Sequence, residues 1–117
     1  MKRISIKVLM LIALSSQIYL AQNSGDWLWH KTYGGTEYDE ANSVAKTHDG
    51  NYIIAGYTQS FGLGRFGNAY LVKVDSTGDT LWTQQYGGEG IDVFAEMIVT
   101  SDGSSVSIGL TDTPNDW

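Results

Sequence analysis

An all-β fold of short antiparallel strands, written twice from one module, is what this sequence predicts, and three observations predict it. The chain matches itself without a gap at a shift of 53 residues. Asp-Gly and Gly-Asp pairs punctuate runs of β-favouring residues. No helical period appears between those turns. In the self-match, 23–35 (NSGDWLWHKTYGG) falls on 76–88 (STGDTLWTQQYGG), Asp39 on Asp92, Asp49-Gly50 on Asp102-Gly103, Gly56 on Gly109 and Thr58 on Thr111. Roughly a third of the overlapping positions are identical, mostly Gly, Asp, Trp and Tyr. A period of this length marks one supersecondary unit used repeatedly. Residues 23–75 form repeat 1 and 76–117 a truncated repeat 2, so the sequence reads as the front of a longer array.

Residues 1–21 stand apart from that module. Lys2, Arg3 and Lys7 make a basic start, Val8 to Leu14 an apolar run, and Ser15, Ser16 and Ala21 a small or polar exit. This is the plan of a secretory signal peptide, and the run is too short to span a bilayer. Ala13-Leu14-Ser15 fits the small-x-small rule for cleavage, whereas a cut after Ala21 places bulky Tyr19 at the minus-three position. The expected product is secreted or cell-surface, without membrane insertion. With no cysteine in the chain, no disulfide staples it.

The elements of one module follow in order. Asn42 to Thr47 alternates polar and apolar residues and predicts a strand. His48-Asp49-Gly50-Asn51 predicts a tight turn, because Gly tolerates the positive φ that such a turn needs. Tyr52 to Thr58 is nearly continuous in apolar and β-favouring residues, which predicts a strand covered on both faces. Gln59 to Asn68 is a Gly-rich loop, Ala69 to Asp75 a third strand, Ser76 to Asp79 a second turn, and Thr80 to Tyr86 a half-wet outer strand. The second copy is degenerate, with Ser105 and Ser107 where Tyr52 and Ile54 stand in the first.

Four such strands in about 50 residues describe one blade of a β-propeller. The 22–117 segment then holds an incomplete propeller of about one and a half to two blades: the last strand of one blade, all of the next, and two strands of a third. Trp29 and Trp82 follow a Gly-Asp turn by the same interval, and each is expected to wedge against a neighbouring blade. Burying an indole removes roughly 150–250 Å² from water, worth at most about 4–6 kcal/mol. Tyr33, Tyr86, Gly50 and Gly103 complete the predicted structural set. A repeat array buries a continuous core only with about three units. Residues 22–117 alone are therefore expected to be marginal and prone to edge pairing, with Tyr52 to Thr58 as the exposed inner strand.

The motifs Tyr-Gly-Gly, Asp-Gly, Gly-Tyr-Thr, Ser-Phe-Gly, Tyr-Leu-Val-Lys-Val-Asp, Ser-Thr-Gly-Asp and Leu-Trp resemble the β-propeller repeats of secreted and cell-surface bacterial proteins. Many of those proteins carry a C-terminal sorting domain for type IX secretion, which this sequence lacks. The resemblance covers residues 23–117 and implies export and a propeller, with no activity attached. Asp75-Ser-Thr-Gly-Asp-Thr-Leu-Trp82 is also similar to the tryptophan-docking turn of quinoprotein dehydrogenase propellers, one residue out of step, and implies the same packing without the cofactor.

The chemistry-bearing residues form no reactive set. Gly62-Leu-Gly-Arg-Phe-Gly67 spells a dinucleotide fingerprint, yet a strand is predicted after it where that motif needs a helix. Asp26, Asp75 and Asp79 lack the dense oxygen spacing of a calcium loop and read as turn caps. His30 and His48 have no second ligand at zinc spacing. No Gly-x-Ser-x-Gly elbow is present, and Glu37, Glu40, Glu89 and Glu96 offer no distinguishable glycosidase pair. No catalytic residue, metal or cofactor is expected. Asp39 and Asp92, four residues after each Gly-Gly, are the candidate ligand-binding loop carboxylates, because repeated loop acids would ring one end of a closed propeller.

Without residues 1–21, 4 basic residues face 13 acidic ones, a formal charge of about −9. That surface repels phosphate backbones, so nucleic acid is excluded as a partner. Proteins, glycans and further repeats of the same chain remain. The expected function is a non-enzymatic scaffold or binding module, the alternative being the non-catalytic part of a secreted hydrolase or oxidoreductase.

Overall fold

The computed structural model describes residues 4–6, 29, 31–62 and 66–112. All regular structure among them is β, with no helix: β1 (Ile4–Ile6), β2 (Lys31–Tyr33), β3 (Asp39–Lys46), β4 (Tyr52–Thr58), β5 (Asn68–Val74), β6 (Thr80–Tyr86), β7 (Ile91–Val99) and β8 (Ser105–Asp112). The predicted signal segment lies outside the described residues except for β1.

The centre is a four-stranded antiparallel sheet in the order β3-β4-β5-β6. β1 pairs with β2, and β7 with β8, as two-stranded antiparallel sheets. The predicted strands Tyr52–Thr58 and Thr80–Tyr86 are found at those bounds. The first strand begins at Asp39, three residues before the predicted start, and the third runs Asn68–Val74.

β4 and β5 supply the core because alternate residues feed two opposite faces. On one face Ile53, Ala55 and Leu71 close around Met97 of β7, with Ala45 and Phe94 beside them. On the other, Ile54, Tyr70, Val72 and Val74 are covered by Trp29, Tyr33, Ala41 and Tyr52. The four-stranded sheet is thus a middle layer, with Trp29 and β2 over one face and β7 over the other. Each fully buried aliphatic side chain here stabilises by roughly 1.5–3 kcal/mol. Tyr52–Thr58 is consequently enclosed by both neighbouring strands and both layers, and the expected exposed inner strand is β8 instead. Its Val106, Ile108 and Leu110 are exposed, Leu110 at 75%.

β6 departs from the half-wet expectation, since every one of its residues is exposed. Trp82 is 39% exposed and does not wedge against a second sheet. Trp29, at the same place in the module, is half-buried, and its indole Nε1 donates to Ser76 O at 2.9 Å. The Ser76–Gly78 turn is what covers Trp29, and no described segment offers Trp82 the same cover.

A pair of bulges fixes the cross-sheet geometry. The β3–β4 register shifts between Ala41 and Ser43, and the β7–β8 register between Phe94 and Glu96. The β3 bulge turns two polar side chains onto β7: Asn42 Nδ2 donates to Phe94 O at 2.9 Å, and Met97 N donates to Ser43 Oγ at 3.1 Å. A bulge increases local twist and re-aims side chains, and here it ties one sheet to the next.

The first hairpin closes as predicted at Asp49-Gly50. Gly50 adopts φ +82°, and a Cβ there would meet nothing within 4 Å. Gly50→Val is therefore a test of backbone strain alone, with an expected loss of about 1–3 kcal/mol. Thermal melting followed by circular dichroism checks it, and an unchanged midpoint would show that the turn does not need its left-handed residue.

Candidate functional site

The two loop carboxylates singled out in the sequence are turned into the protein. Asp39 opens β3 at 4% exposure and Asp92 stands second in β7 at 5%. Each lies four residues beyond a Gly-Gly pair, and each reaches back to it. Gly35 N donates to Asp39 Oδ2 at 2.8 Å, and Gly88 N donates to Asp92 Oδ2 at 2.9 Å. The approach is close enough that a Cβ on Gly34 would lie 2.5 Å from Asp39 Oδ2, and one on Gly87 2.0 Å from Asp92 Oδ2. Glycine before the clamp and aspartate after it are thus one device, which brings the chain from one sheet into the first strand of the next.

Asp39 gathers more donors. Ser60 Oγ donates to its Oδ2 at 2.7 Å, and the fully buried Thr58 hydroxyl donates to its Oδ1. Thr58 Oγ1 in turn accepts from Ser60 N at 3.1 Å and Phe61 N at 3.2 Å, while Ser60 Oγ accepts from Glu37 N at 3.0 Å. Burial pulls the Asp39 carboxyl towards its neutral form, but the bonds from Thr58, Ser60 and Gly35 outweigh it and hold its pKa below the usual carboxylate range. An ionised group so well satisfied serves as a structural acceptor. Thr58 and Ser60 are the partners that sequence reasoning missed, and the signal for them was Gly-Tyr-Thr-x-Ser at residues 56–60.

The turn Asp75–Asp79 is the second polar cluster. Asp75 Oδ1 accepts from Thr77 N, Thr77 Oγ1 and Asp79 N at 2.7–2.9 Å, so it caps its own turn as the sequence implies. The layer above clasps the same turn: Trp29 holds Ser76 O, Tyr33 OH donates to Gly78 O at 2.7 Å, and Lys31 pairs with Asp79. Burial, then the charges of Asp79 and Asp75, push the Tyr33 phenol up to about 12. Tyr86, the corresponding residue of the second copy, stacks edge-on to Phe94 at 5.6 Å.

At the other turns, Asp49 takes the Thr47 hydroxyl and Asn51 N as Asp102 takes the Thr100 hydroxyl and Ser104 N, so both Asp-Gly corners are pinned alike, and Asp49 also accepts from Lys73 Nζ at 2.7 Å. Gly103 has φ +87° and lies near His48, which brings the two hairpin tips together. His30 lies outside the described residues. Among the described residues no cluster of three His, Cys, Asp or Glu side chains is placed to hold a metal. The Gly62–Gly67 loop leads into strand β5, so the fingerprint has no helix to present to a pyrophosphate.

A cleft lies between Tyr33, Asp39, Glu40, Ile54, Tyr57 and Tyr70 where β2 meets the sheet. Its volume of about 20 Å³ accommodates a water and little else. Among the described residues no helix is long and apolar enough to cross a membrane. Comparison with protein-family models, with curated proteins and with solved structures finds no match to this chain.

Proposed function

We propose that this chain is a secreted or cell-surface β-propeller repeat module, acting as a non-enzymatic scaffold or as a binding domain for proteins or glycans. The observation that carries the reading is the middle-layer sheet, one face of which is covered by β2, the counterpart of its own β6 one module earlier, and the other by β7, the counterpart of its own β3 one module later. Stacking of that kind derives stability from neighbour-to-neighbour contact and leaves loops free for recognition. The carboxylates that recur in the sequence are consumed in turns and clamps, which fits a scaffold better than a reaction centre. Residues 1–21 supply the export signal, and the acidic remainder keeps an extracellular protein soluble.

Two measurements test the reading. Expressed with its own N-terminus in a secreting bacterial host, the chain should appear outside the cytoplasm with residues 1–15 or 1–21 removed, as intact mass will show. A full-length chain retained in the cytoplasm would remove the export assignment. A glycan array and a surface-protein pull-down with the exported product should give saturable binding to one class, and hydrolysis of an array glycan would replace the scaffold reading with an enzymatic one.

A further inference from the structure

The strand nearest the N-terminus occupies a place that the module assigns to another segment. We infer that β1 is a removable cap on the edge of β2, and that the edge it covers is shaped to receive the third strand of a repeat of this same kind.

β2 is the counterpart, one module earlier, of the last three residues of β6. β1 meets it through Ile4↔Tyr33, Ser5↔Thr32 and Ile6↔Lys31. In the central sheet the corresponding pairs are Ala69↔Tyr86, Tyr70↔Gln85 and Leu71↔Gln84. Direction and register agree at all three places, and in both strands an apolar residue stands at the first and the third. The surroundings agree as well, since β1 lies beside β3 as β5 lies beside β7, the counterpart of β3. By the 53-residue shift the counterpart of β5 would be 15–21, so β1 holds the third-strand position by pairing and not by the repeat.

Two properties make this cap removable. It is only three residues long, whereas β5 and β6 are seven each, so its grip depends on belonging to the same chain. A tethered strand competes at an effective concentration of up to about millimolar, and that advantage ends when the tether is cut. β1 also falls within residues 1–21, so the release of the cap rests on the export reading above. β2 does not leave with it. Tyr33 OH donates to Gly78 O, Lys31 pairs with Asp79, and Trp29 Nε1 holds Ser76 O, which together keep the strand on the central sheet. Cleavage thus leaves a fixed strand with a free row of main-chain donors and acceptors, the template for strand addition. Before cleavage the same groups are occupied, so pairing with another repeat waits for export.

Native-state hydrogen exchange on the uncut 117-residue chain provides the test. The Lys31–Tyr33 amides that face β1 should be protected. Successive amides of a strand point to opposite edges, so one of Ser5→Pro and Ile6→Pro removes a ladder donor. In that variant the facing amides should exchange at least about tenfold faster, while those of β4 stay protected and show that the sheet is intact. A synthetic peptide of residues 68–75 should restore the protection there, and should bind the native chain at least about tenfold more weakly because the tethered strand competes with it. Unprotected Lys31–Tyr33 amides in the native chain, or two proline variants that exchange as the native chain does, would overturn the cap. A peptide that binds without restoring the protection would overturn the assigned partner. The intact mass of the exported chain separates this inference from the reading beneath it: a chain that is never cut removes the export assignment and the release, whereas a chain that is cut but shows unchanged exchange in both proline variants removes the cap.

Discussion

Gly56→Ala is expected to lower the stability of the central sheet by about 3 kcal/mol, the upper end of what one inserted methyl group costs in a packed interior. Gly56 pairs with Ala41 at the β3 bulge, and a Cβ added to it would lie 1.9 Å from Glu40 O and 2.9 Å from Ala41 Cα. Both contacts are with backbone, so no side-chain rotation relieves them. β3 would have to lift from β4, and the bulge that aims Asn42 and Ser43 at β7 would move with it. The damage therefore spreads from one strand pair to the contact between layers. Urea titration followed by far-ultraviolet circular dichroism measures it, and a midpoint equal to that of the native chain would mean that the strands are not so close at the bulge. Gly109→Ala creates the same collision, 1.8 Å from Val93 O, but in the outermost hairpin. There the expected result is faster amide exchange along β8 with a smaller change in the global midpoint, because opening that hairpin leaves the central sheet intact.

The sequence made strands legible wherever burial is symmetrical or a turn is sharp. Tyr52–Thr58 reads from its apolar run because β4 is enclosed on both faces, and Thr80–Tyr86 reads from the Gly-Asp turn before it and the Gly-Gly after it. The start of β3 was not legible, since Asp39, Glu40 and Ala41 precede a bulge, where alternation fails. The burial of Trp82 was overestimated for a different reason. An indole at the same place in two copies is buried only when each copy has a partner turn, and the turn that holds Trp29 has no described counterpart over Trp82. Recurrence drew attention to Asp39 and Asp92, but recurrence does not separate a ligand from a clamp. The distinction lay in the flanking Gly-Gly, whose amides the carboxylates accept, and in Thr58 and Ser60, which a reading by strand period treats as ordinary strand-end residues. The association of β1 with β2 had no sequence signal at all, because basic and apolar residues at an N-terminus point to export before they point to a strand.

Asp39→Asn should cost about 3 kcal/mol at neutral pH and should also flatten the acid side of the stability profile. The carboxylate accepts from Gly35 N, Ser60 Oγ and Thr58 Oγ1, and hydrogen bonds to an ionised acceptor contribute roughly 1.5–3 kcal/mol each, though not additively. An amide keeps one acceptor oxygen and sets an NH₂ donor against the remaining donors, so the isosteric change is nearly as harmful as Asp39→Ala. The pH dependence follows from the sign of the shift. A carboxyl group with a depressed folded-state pKa adds stability that is present above its unfolded value, near 4, and is lost as the pH falls through the folded one. Asp39 behaves this way because its hydrogen bonds overcome burial, and Asp49, Asp75 and Asp102 are shifted in the same direction, first by Lys73, Thr77 and Thr100 respectively. Those three sit in surface turns, Asp49 and Asp102 exposed and Asp75 half-buried, and contribute weakly, so Asp39 dominates the acid limb. Tyr33 contributes to the alkaline limb, and Tyr70, raised in the same direction by burial, adds to it: with the Tyr33 phenol raised to about 12, the stability it confers is complete below about 10 and lost as the pH rises through about 12. Urea midpoints of the native chain should accordingly be flat from about pH 5 to 9 and fall on either side. In Asp39→Asn the plateau should be lower and the fall below pH 4 shallower, whereas an acid limb as steep as the native one would assign the acid sensitivity to other carboxylates.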